Sequence, residues 1–229
     1  MKRREGRMRN AECGIKEFCL FYFYNSGAKR HQQFVNRHST FVIHKGLMAK
    51  LYLVRHGKAT AGWGMEKDPR LNDLGRAQAK AAALKLAPLG PLPIVTSPLA
   101  RTRETSRFLV DIWGIETRVE PMVGEIRFAS ATPADRVHWL KEVMVREWPG
   151  LDRELQQWRQ EVIEALVSID TDTVVFTHYI AINVAVGHAA GDDRVVSFRP
   201  DNCSITNMET NGRSLSLVKR GDVADTRVN

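Results

Sequence analysis

The sequence predicts an α/β fold: a single three-layer α/β/α domain with a mostly parallel sheet. Short runs rich in β-branched and apolar residues alternate with longer stretches of helical periodicity from residue 50 onward. That alternation is typical of a sheet covered by helices on its faces. Three of the predicted strands also end in polar residues, at the edge where parallel sheets bind ligands. Because no internal repeat or low-complexity linker interrupts the pattern, we expect one domain over residues 48–229.

The predicted strands are short and largely apolar. The first, KLYLV, opens the domain, and the last two flank the dipeptide Asn211-Gly212, which favours a tight hairpin turn. The third is a buried run that leads directly into a helix. These predicted strands lie in residues 50–54, 92–97, 172–179, 203–210 and 214–220.

The predicted helices lie between the strands. Ala and Leu at helical spacing predict a helix from residue 72 that stops at Pro88 and Gly90. The next helix, 98–113, has Pro98 in its first turn, where the missing N–H costs nothing. Further helices are predicted over 134–145, over 151–169 and in a stretch that ends at residue 190, with a break at Pro149-Gly150 and a turn region at 124–129.

The net charge of +8 suggests a nucleic-acid partner at first sight. However, residues 1–47 hold 10 basic and 3 acidic residues, whereas the remainder holds 24 basic and 23 acidic ones. The predicted domain is therefore almost neutral. We expect no nucleic-acid partner for it, since such binding depends on a concentration of basic residues.

The segment 1–47 differs from the rest of the chain. It has no sustained period and combines scattered basic residues with the aromatic run FCLFYFY. A basic tail or a targeting peptide would fit this composition, but the apolar stretch of about seven residues lacks a small-residue cleavage site. We favour the interpretation that Met48 is the natural start and that residues 1–47 are disordered or absent from the native protein. Peptides from before Met48 in a mass spectrum of the native protein would contradict this interpretation.

The lengths of the apolar runs and the positions of the cysteines indicate in which cellular compartment the protein is expected. No run approaches the roughly 18 to 20 apolar residues that a membrane-spanning helix needs. Cys13, Cys19 and Cys203 are too scattered for a disulfide framework. We therefore expect a cytoplasmic protein with no membrane partner.

Polar side chains follow three of the predicted strands. They are Arg55, His56 and Gly57 after the first strand, Ser97 and Arg101 after the second, and Thr177 and His178 after the third. With Glu125 from a predicted loop, they form a set suited to a phosphate dianion. Arginine offers forked, permanently charged donors, neutral imidazole is a nucleophile near neutral pH, and a carboxylic acid of raised pKa can protonate a leaving alkoxide. Gly57 would let the backbone approach the phosphate.

The motifs LYLVRHG, SPLARTRET and VVFTHY, together with the isolated Glu125, resemble those of the histidine phosphatase superfamily, the phosphoglycerate mutase-like proteins. The resemblance extends from residue 49 to about residue 218. It implies a phosphoglycerate mutase-like fold and a nucleophile, His56, that becomes transiently phosphorylated. It also implies that Arg55 and Arg101 bind the phosphate, that His178 is the second histidine of the site, and that Glu125 protonates the leaving group.

Departures from the mutase pattern favour hydrolysis. Mutase-like members usually continue the Arg-His-Gly with Glu or Gln, Thr and a later Asn, but this chain has Lys58, Ala59 and no matching Asn. Tyr179 stands where a glycine usually follows the second histidine. The stretches RHGKA and DPRLNDLGRAQA look closer to the short phosphatases, including the phosphohistidine phosphatases. The resemblance therefore implies a metal-independent phosphatase acting on a phosphorylated small molecule or a phosphoprotein.

Several alternatives stay open at the level of sequence. Mutase-type phosphoryl transfer and a non-catalytic module that binds phospho-ligands are the competing functions. Glu116 and Glu120 compete with Glu125 for the acid role, and Arg101 could instead form a surface ion pair with Glu104. The physiological substrate and the oligomeric state are not determined by the sequence.

Cofactor and metal sites are not expected. The stretch GWGMEK supplies only two glycines of a dinucleotide-binding motif. His178 and His188 are ten residues apart and so do not share a helix face. We therefore predict no metal and no cofactor.

Overall fold

Six strands of the described residues form one mixed sheet. The structure, a computed structural model, describes residues 48–62, 66, 68–126 and 133–224. The strands are β1 (Ala49–Arg55), β2 (Ile94–Thr96), β3 (Thr117–Val119), β4 (Thr173–Thr177), β5 (Ile205–Thr210) and β6 (Leu215–Lys219). Their spatial order is β3-β2-β4-β1-β5-β6, with parallel pairing from β3 through β1 and antiparallel pairing at β5 and β6. The predicted α/β class and mostly parallel sheet are confirmed.

Five helices flank the sheet in the described part of the chain. They are α1 (Asp73–Leu86), α2 (Ala100–Trp113), α3 (Pro133–Met144), α4 (Arg153–Val167) and α5 (Tyr179–Ala190). Side chains cap two of them, since Asn72 accepts from the Gly75 N–H and Asp152 accepts from the Leu155 N–H. Helices α2 and α5 each end at a glycine in the left-handed conformation, which only glycine adopts without cost.

Two local expectations were wrong. Helix α2 begins at Ala100 rather than at Pro98, because Leu99 is extended and occupies the N-cap position. Strand β3 was not predicted at all. Its three residues, Thr-Arg-Val, lie at the sheet edge and are mostly exposed, so they carry no apolar alternation that would identify a strand.

The core consists of two apolar layers, one on each face of the sheet. Leu51 and Leu53 of β1 face a large cluster that includes residues of α3, α4 and α5, whereas Val54 faces a smaller cluster with residues of α1 and α2. This alternation follows from the two-residue period of a strand. It confirms the three-layer arrangement.

The topology brings three strand ends together. Strand β4 lies between β1 and β2 and runs parallel to both, with Arg55 opposite Thr177 and Thr96 opposite Phe176. The loops that leave the carboxyl ends of these strands therefore start next to one another, which is where open α/β sheets form ligand crevices.

Two further expectations concern the N-terminal segment and membrane-spanning helices. The predicted extension, residues 1–47, lies outside the described residues, so the predicted boundary at Met48 stays a prediction. Within the described ranges, no helix combines the length and apolarity needed to cross a bilayer.

Candidate active site

The predicted nucleophile, His56, follows β1 and is almost completely buried. Its main-chain N–H donates to the carbonyl of Thr177 at 3.0 Å, which continues the pairing of β1 with β4. Its ring Nδ1 lies 2.7 Å from the carbonyl oxygen of Gly57. A carbonyl oxygen only accepts hydrogen bonds, so Nδ1 carries the ring hydrogen and Nε2 keeps its lone pair.

The charge state of His56 suits this role. Burial lowers the pKa of His56 well below its usual value, and the nearby charges of Arg101 and Arg55 lower it further. The ring is therefore neutral near pH 7. Arg101 Nε donates to His56 Nε2 at 3.2 Å, so the unprotonated nitrogen faces a guanidinium.

Gly57 is required by packing. A Cβ at this position would come 2.5 Å from the main-chain oxygen of Gly75 in α1, closer than real side chains approach. The Gly57 N–H donates to Thr105 Oγ1 at 3.0 Å. The structure thus gives Gly57 a role in joining the loop to helices α1 and α2, and its approach to phosphate stays a prediction.

Two buried arginines lie beside the histidine. Arg55 Nη1 donates to the carbonyl of Pro200 at 2.9 Å, and its guanidinium lies over the Tyr179 ring, 5.0 Å from the centroid. Arg55 Nε has no hydrogen-bond partner among the described residues. Arg101 is also buried, and its Nη1 lies 3.7 Å from Asp68 Oδ1. Burial lowers the pKa of both arginines from 12.5, yet an arginine remains charged in proteins.

The alternative ion pair for Arg101 is not formed. Glu104 instead contacts Arg70 at 3.2 Å and Arg76 at 3.8 Å, and it accepts from the Leu71 N–H. Glu104 therefore fixes the segment before α1, while Arg101 turns toward His56.

The second histidine, His178, is fully buried at the N-cap of α5. Its Nε2 lies 2.8 Å from Ser97 Oγ, and its Nδ1 is buried without a partner in the described part of the chain. The rings of His56 and His178 are 5.2 Å apart. Burial, and next the charge of Arg101, keeps the pKa of His178 well below its usual value.

Glu125 supplies the buried carboxyl group. Its Oε1 accepts from the Ile126 N–H at 3.0 Å, while Oε2 is inaccessible to solvent and has no hydrogen-bond partner among the described residues. The residue as a whole is partly exposed, but the carboxyl group is not. Burial raises the pKa of Glu125 from 4.5 to about 7, against the opposing effects of the Ile126 N–H, the two arginines and the Ile180 N–H.

The competing glutamates are arranged differently. Glu116 is exposed, and Glu120 accepts from the Met122 N–H and pairs with Arg118 at 3.4 Å. Of these acidic residues, only Glu125 has a buried carboxyl oxygen without a partner. The geometry therefore favours Glu125 as the acid.

Two side chains at the site were not predicted. Thr105 accepts from the Gly57 N–H, and Asn202 Nδ2 donates to the His56 carbonyl at 2.9 Å. Thr105 lies four residues after Arg101 on a predicted helix, so helical spacing could have placed it on the same face. No sequence signal connects Asn202 with a residue 146 positions earlier.

The arrangement can bind a small dianion and attack it. Two guanidinium groups, an imidazole nitrogen without a partner, a neutral nucleophile and a carboxylic acid meet at the carboxyl ends of β1, β2 and β4. Within the described ranges, no group of three or more His, Cys, Asp and Glu side chains is placed to hold a metal ion. Such an arrangement is suited to phosphoryl transfer through a histidine.

Comparison with known proteins identifies the family. The profile of the histidine phosphatase superfamily (branch 1) matches residues 51–223, which includes every residue of the site described above. The chain belongs to this superfamily.

Individual relatives include both phosphatases and mutases. The chain is 32% identical over 162 residues to a glucosyl-3-phosphoglycerate phosphatase of Mycolicibacterium vanbaalenii, with 64% of this chain and 66% of that protein aligned. It is 26% identical over 122 residues to a probable phosphoglycerate mutase of Yersinia enterocolitica, with 51% and 50% aligned. The chain thus spans just under two thirds of the first relative and half of the second.

A solved structure supports the fold. The mycobacterial glucosyl-3-phosphoglycerate phosphatase in complex with VO3 superposes with a TM-score of 0.60 at 21% identity, covering 78% of this chain and 100% of that one. The predicted phosphoglycerate mutase-like architecture is confirmed.

Proposed function

We propose that the protein hydrolyses phosphomonoesters, or phosphohistidine, through a phosphohistidine intermediate on His56. The observation that carries the proposal is the state of this histidine: a buried neutral ring with its hydrogen on Nδ1 and its Nε2 facing Arg101. An anionic ligand explains why two buried arginines lie beside this neutral histidine, whereas a histidine that only packs in the core does not explain them. Family membership supports the same chemistry.

The first step is transfer to the histidine. Arg55, Arg101 and His178 bind the equatorial phosphate oxygens, and a phosphate oxygen takes over the Arg101 Nε donor and so frees the His56 lone pair. Nε2 then attacks phosphorus in line with the leaving oxygen. As the P–O bond breaks, Glu125 gives its proton to the departing alkoxide, which leaves as an alcohol.

The second step returns the enzyme to its starting state. The Glu125 carboxylate takes a proton from water as the water oxygen attacks phosphorus. The P–N bond breaks, inorganic phosphate leaves, and both His56 and Glu125 regain their initial protonation states. The positive charge that stabilises both steps comes from the arginines, so we propose that no metal is required.

The acid role rests on the environment of Glu125. A carboxyl group with a pKa of about 7 is about half protonated at pH 7, whereas an exposed glutamate is almost fully ionised. Its Oε2 is buried and is not a partner in any hydrogen bond between described side chains, so it can carry that proton. The arrangement therefore supports a proton donor for substrates with poor leaving groups.

Phosphoglycerate mutase activity is the second candidate, because relatives named as probable mutases match half of the chain. The chain has exposed Lys58 and then Ala59 where mutase-like members carry their characteristic continuation. We propose water as the final acceptor for this reason. Incubation with 3-phosphoglycerate, followed by 31P NMR, distinguishes release of inorganic phosphate from formation of the 2-phospho isomer.

The substrate class follows from the proposal and from the relatives. A relative that is a glucosyl-3-phosphoglycerate phosphatase favours a phosphorylated small molecule over a phosphoprotein. Phosphorylated sugars and glycerates, together with a phosphohistidine protein, form the panel to test.

We also propose that the protein acts in the cytoplasm, where the free buried thiol of Cys203 would stay reduced. Cell fractionation tests this location.

The decisive experiment is hydrolysis of p-nitrophenyl phosphate by wild type and by His56→Ala. We expect the substitution to abolish turnover, with trapping of a phosphorylated wild-type protein under conditions that preserve phosphohistidine. His138→Ala is the matched control, since His138 is exposed and pairs with Glu142. Equal rates for wild type and His56→Ala, or loss of activity on addition of a chelator, would contradict the proposal.

A further inference from the structure

We propose that Asn202 is a positioning residue that fixes His56 through the peptide bond joining His56 to Gly57. The inference rests on the proposed function, because it concerns the same nucleophile. Asn202 does not contact the ring. Its side-chain amide donates to the main-chain carbonyl of His56 at 2.9 Å.

Side chains hold both polar ends of that peptide. Asn202 holds its carbonyl, and Thr105 Oγ1 accepts from its N–H, which belongs to Gly57, at 3.0 Å. The Thr105 hydroxyl donates its own hydrogen to the carbonyl of Arg101 at 2.6 Å, so its oxygen can only accept from Gly57. The peptide plane is therefore fixed from two elements that are far apart in sequence.

This peptide joins the two residues whose contact orients the ring of His56. The carbonyl of Gly57 receives the Nδ1 hydrogen at 2.7 Å and so determines which ring nitrogen is free to attack. Glycine has the softest backbone torsions of any residue, so the direction of its carbonyl depends on external contacts. The Gly57 carbonyl belongs to the next peptide, whose Lys58 N–H donates to Gln78 Oε1 at 3.0 Å. Asn202 thus acts on the tautomer of His56 through the Gly57 Cα that the two peptides share.

The turn that carries Asn202 is itself attached to β1. The Cys203 N–H donates to the Arg55 carbonyl at 3.0 Å, and the Arg55 N–H donates to the Ser204 carbonyl at 3.2 Å. Asp201 Oδ1 accepts from the Asn202 N–H at 2.7 Å. These contacts keep the Asn202 amide in register with the strand that ends at the nucleophile.

The turn also contains an unfavourable backbone conformation. Cys203 has φ 58°, a positive value that no other non-glycine residue adopts in the described part of the chain. Such a conformation is unfavourable for an L-residue and is retained only where the surroundings require it. Here it directs the Cys203 N–H to the main chain beside His56.

The first test compares kinetics of Asn202→Ala with those of wild type on p-nitrophenyl phosphate. Loss of the donor should lower kcat about 10- to 100-fold, because small misplacements of a reacting group cost up to about 100-fold. The KM should change by less than about threefold, since the arginines remain in place. Asn211→Ala is the matched control: its side chain accepts from Arg213 and Ser214 in an exposed turn, and its kcat should match wild type.

A double-mutant cycle separates positioning from general destabilisation. Thr105→Val removes the other hold on the same peptide, so the double variant should lose little more than the worse single variant. A loss of kcat in the double variant equal to the product of the two single losses would overturn the proposal. A kcat for Asn202→Ala within about twofold of wild type would overturn it as well.

If Asn202→Ala does not fold, Asn202→Asp replaces it. This variant keeps the shape but has no donor, and its charge should move the acid limb of kcat/KM to higher pH.

A readout that needs no turnover distinguishes the two proposals. With 15N-labelled histidine, the wild-type His56 ring should show the hydrogen on Nδ1, and Asn202→Ala or Asn202→Asp should show a mixture of the two tautomers. An inactive wild type with this tautomer change would refute the proposed function and retain the positioning role. An unchanged His56 tautomer in a folded variant would refute the positioning role whatever the activity.

Discussion

Replacing Glu125 by Gln should stabilise the protein at alkaline pH. The native state holds the Glu125 carboxyl in a buried position that raises its pKa from 4.5 to about 7. The unfolded chain therefore releases this proton at lower pH than the native state does. The stability that the protonated carboxyl provides is complete below pH 4.5 and is lost as the pH rises through about 7.

The size of the effect follows from that difference. One pH unit corresponds to about 1.4 kcal/mol, so raising the pKa from 4.5 to about 7 corresponds to about 3 kcal/mol of unfolding free energy. A Gln at position 125 keeps the acceptor for the Ile126 N–H and does not ionise. We expect the stability of Glu125→Gln relative to wild type to increase by about 3 kcal/mol between pH 4.5 and pH 8.

Urea unfolding at several pH values measures this change, with fluorescence of the buried Trp148 as one signal. Glu116→Gln is the control, because its carboxylate is exposed and should give parallel curves. A constant difference between Glu125→Gln and wild type from pH 4.5 to pH 8 would refute the assigned environment of Glu125.

The same variant has a kinetic consequence. With an alkyl phosphate, loss of the proton donor should lower kcat/KM about 10²- to 10⁴-fold. With p-nitrophenyl phosphate, whose leaving group needs no proton, the loss of kcat/KM should be much smaller, because kcat/KM reports the steps through release of the leaving group and not the later attack by water. The wild-type kcat/KM should fall as the pH rises through about 7, since Glu125 then loses its proton, and the variant should lack this fall. Equal losses with both substrates would exclude Glu125 as the acid.

Two further substitutions test the phosphate clamp. Arg101→Lys removes the donor to His56 Nε2 and the forked geometry, so kcat/KM should fall about 10- to 100-fold, whereas Arg103→Lys on the exposed face of α2 should match wild type. Ser97→Ala removes the partner of His178 Nε2 and should lower kcat/KM about fivefold to tenfold. It should also lower the unfolding free energy by about 1–3 kcal/mol, because it leaves that nitrogen buried without a partner. An Arg101→Lys rate equal to that of Arg103→Lys, or a Ser97→Ala loss confined to stability, would contradict these roles.

The Ser97 prediction follows from the tautomer that phosphate binding requires. His178 can donate to a phosphate oxygen from Nδ1 only if that nitrogen carries the ring hydrogen. Nε2 must then accept, so the Ser97 hydroxyl has to be the donor in the 2.8 Å contact. Ser97 Oγ is also the acceptor of a 3.4 Å contact from the Leu99 N–H, which leaves its own hydrogen available for His178.

Much of the site was predictable because strand ends and motifs are local features. Arg55 and His56 directly follow an apolar run, and His178 follows another, so a parallel sheet necessarily brings them to one edge. The pairing of Arg55 with Thr177 shows that this reasoning placed the two strands correctly. Glu125 was harder, since its role depends on burial in a loop and not on any period.

The features that the sequence did not predict depend on long-range contacts or lie at an edge of the sheet. Asn202 contacts His56, which lies 146 positions earlier, and a single turn residue has no periodicity from which such a contact could be predicted. Strand β3 is a short, mostly exposed strand at the sheet edge, so its side chains do not alternate between apolar and polar. The start of α2 shifted by two residues because Pro98 fits both the first turn and the segment before it.

The charges of the site are matched to its proposed ligand. Arg55 and Arg101 stay positive, while burial keeps His56 and His178 neutral and Glu125 largely protonated below pH 7. The site therefore holds two positive charges, the number that balances a phosphate dianion, and the nearby aspartates offset them in part: the exposed Asp68 lies 3.7 Å from Arg101, and Asp201 acts on Arg55. Burial is also what keeps His56 neutral, so one packing arrangement provides both the charge complementarity and the unprotonated ring nitrogen that the proposed mechanism needs.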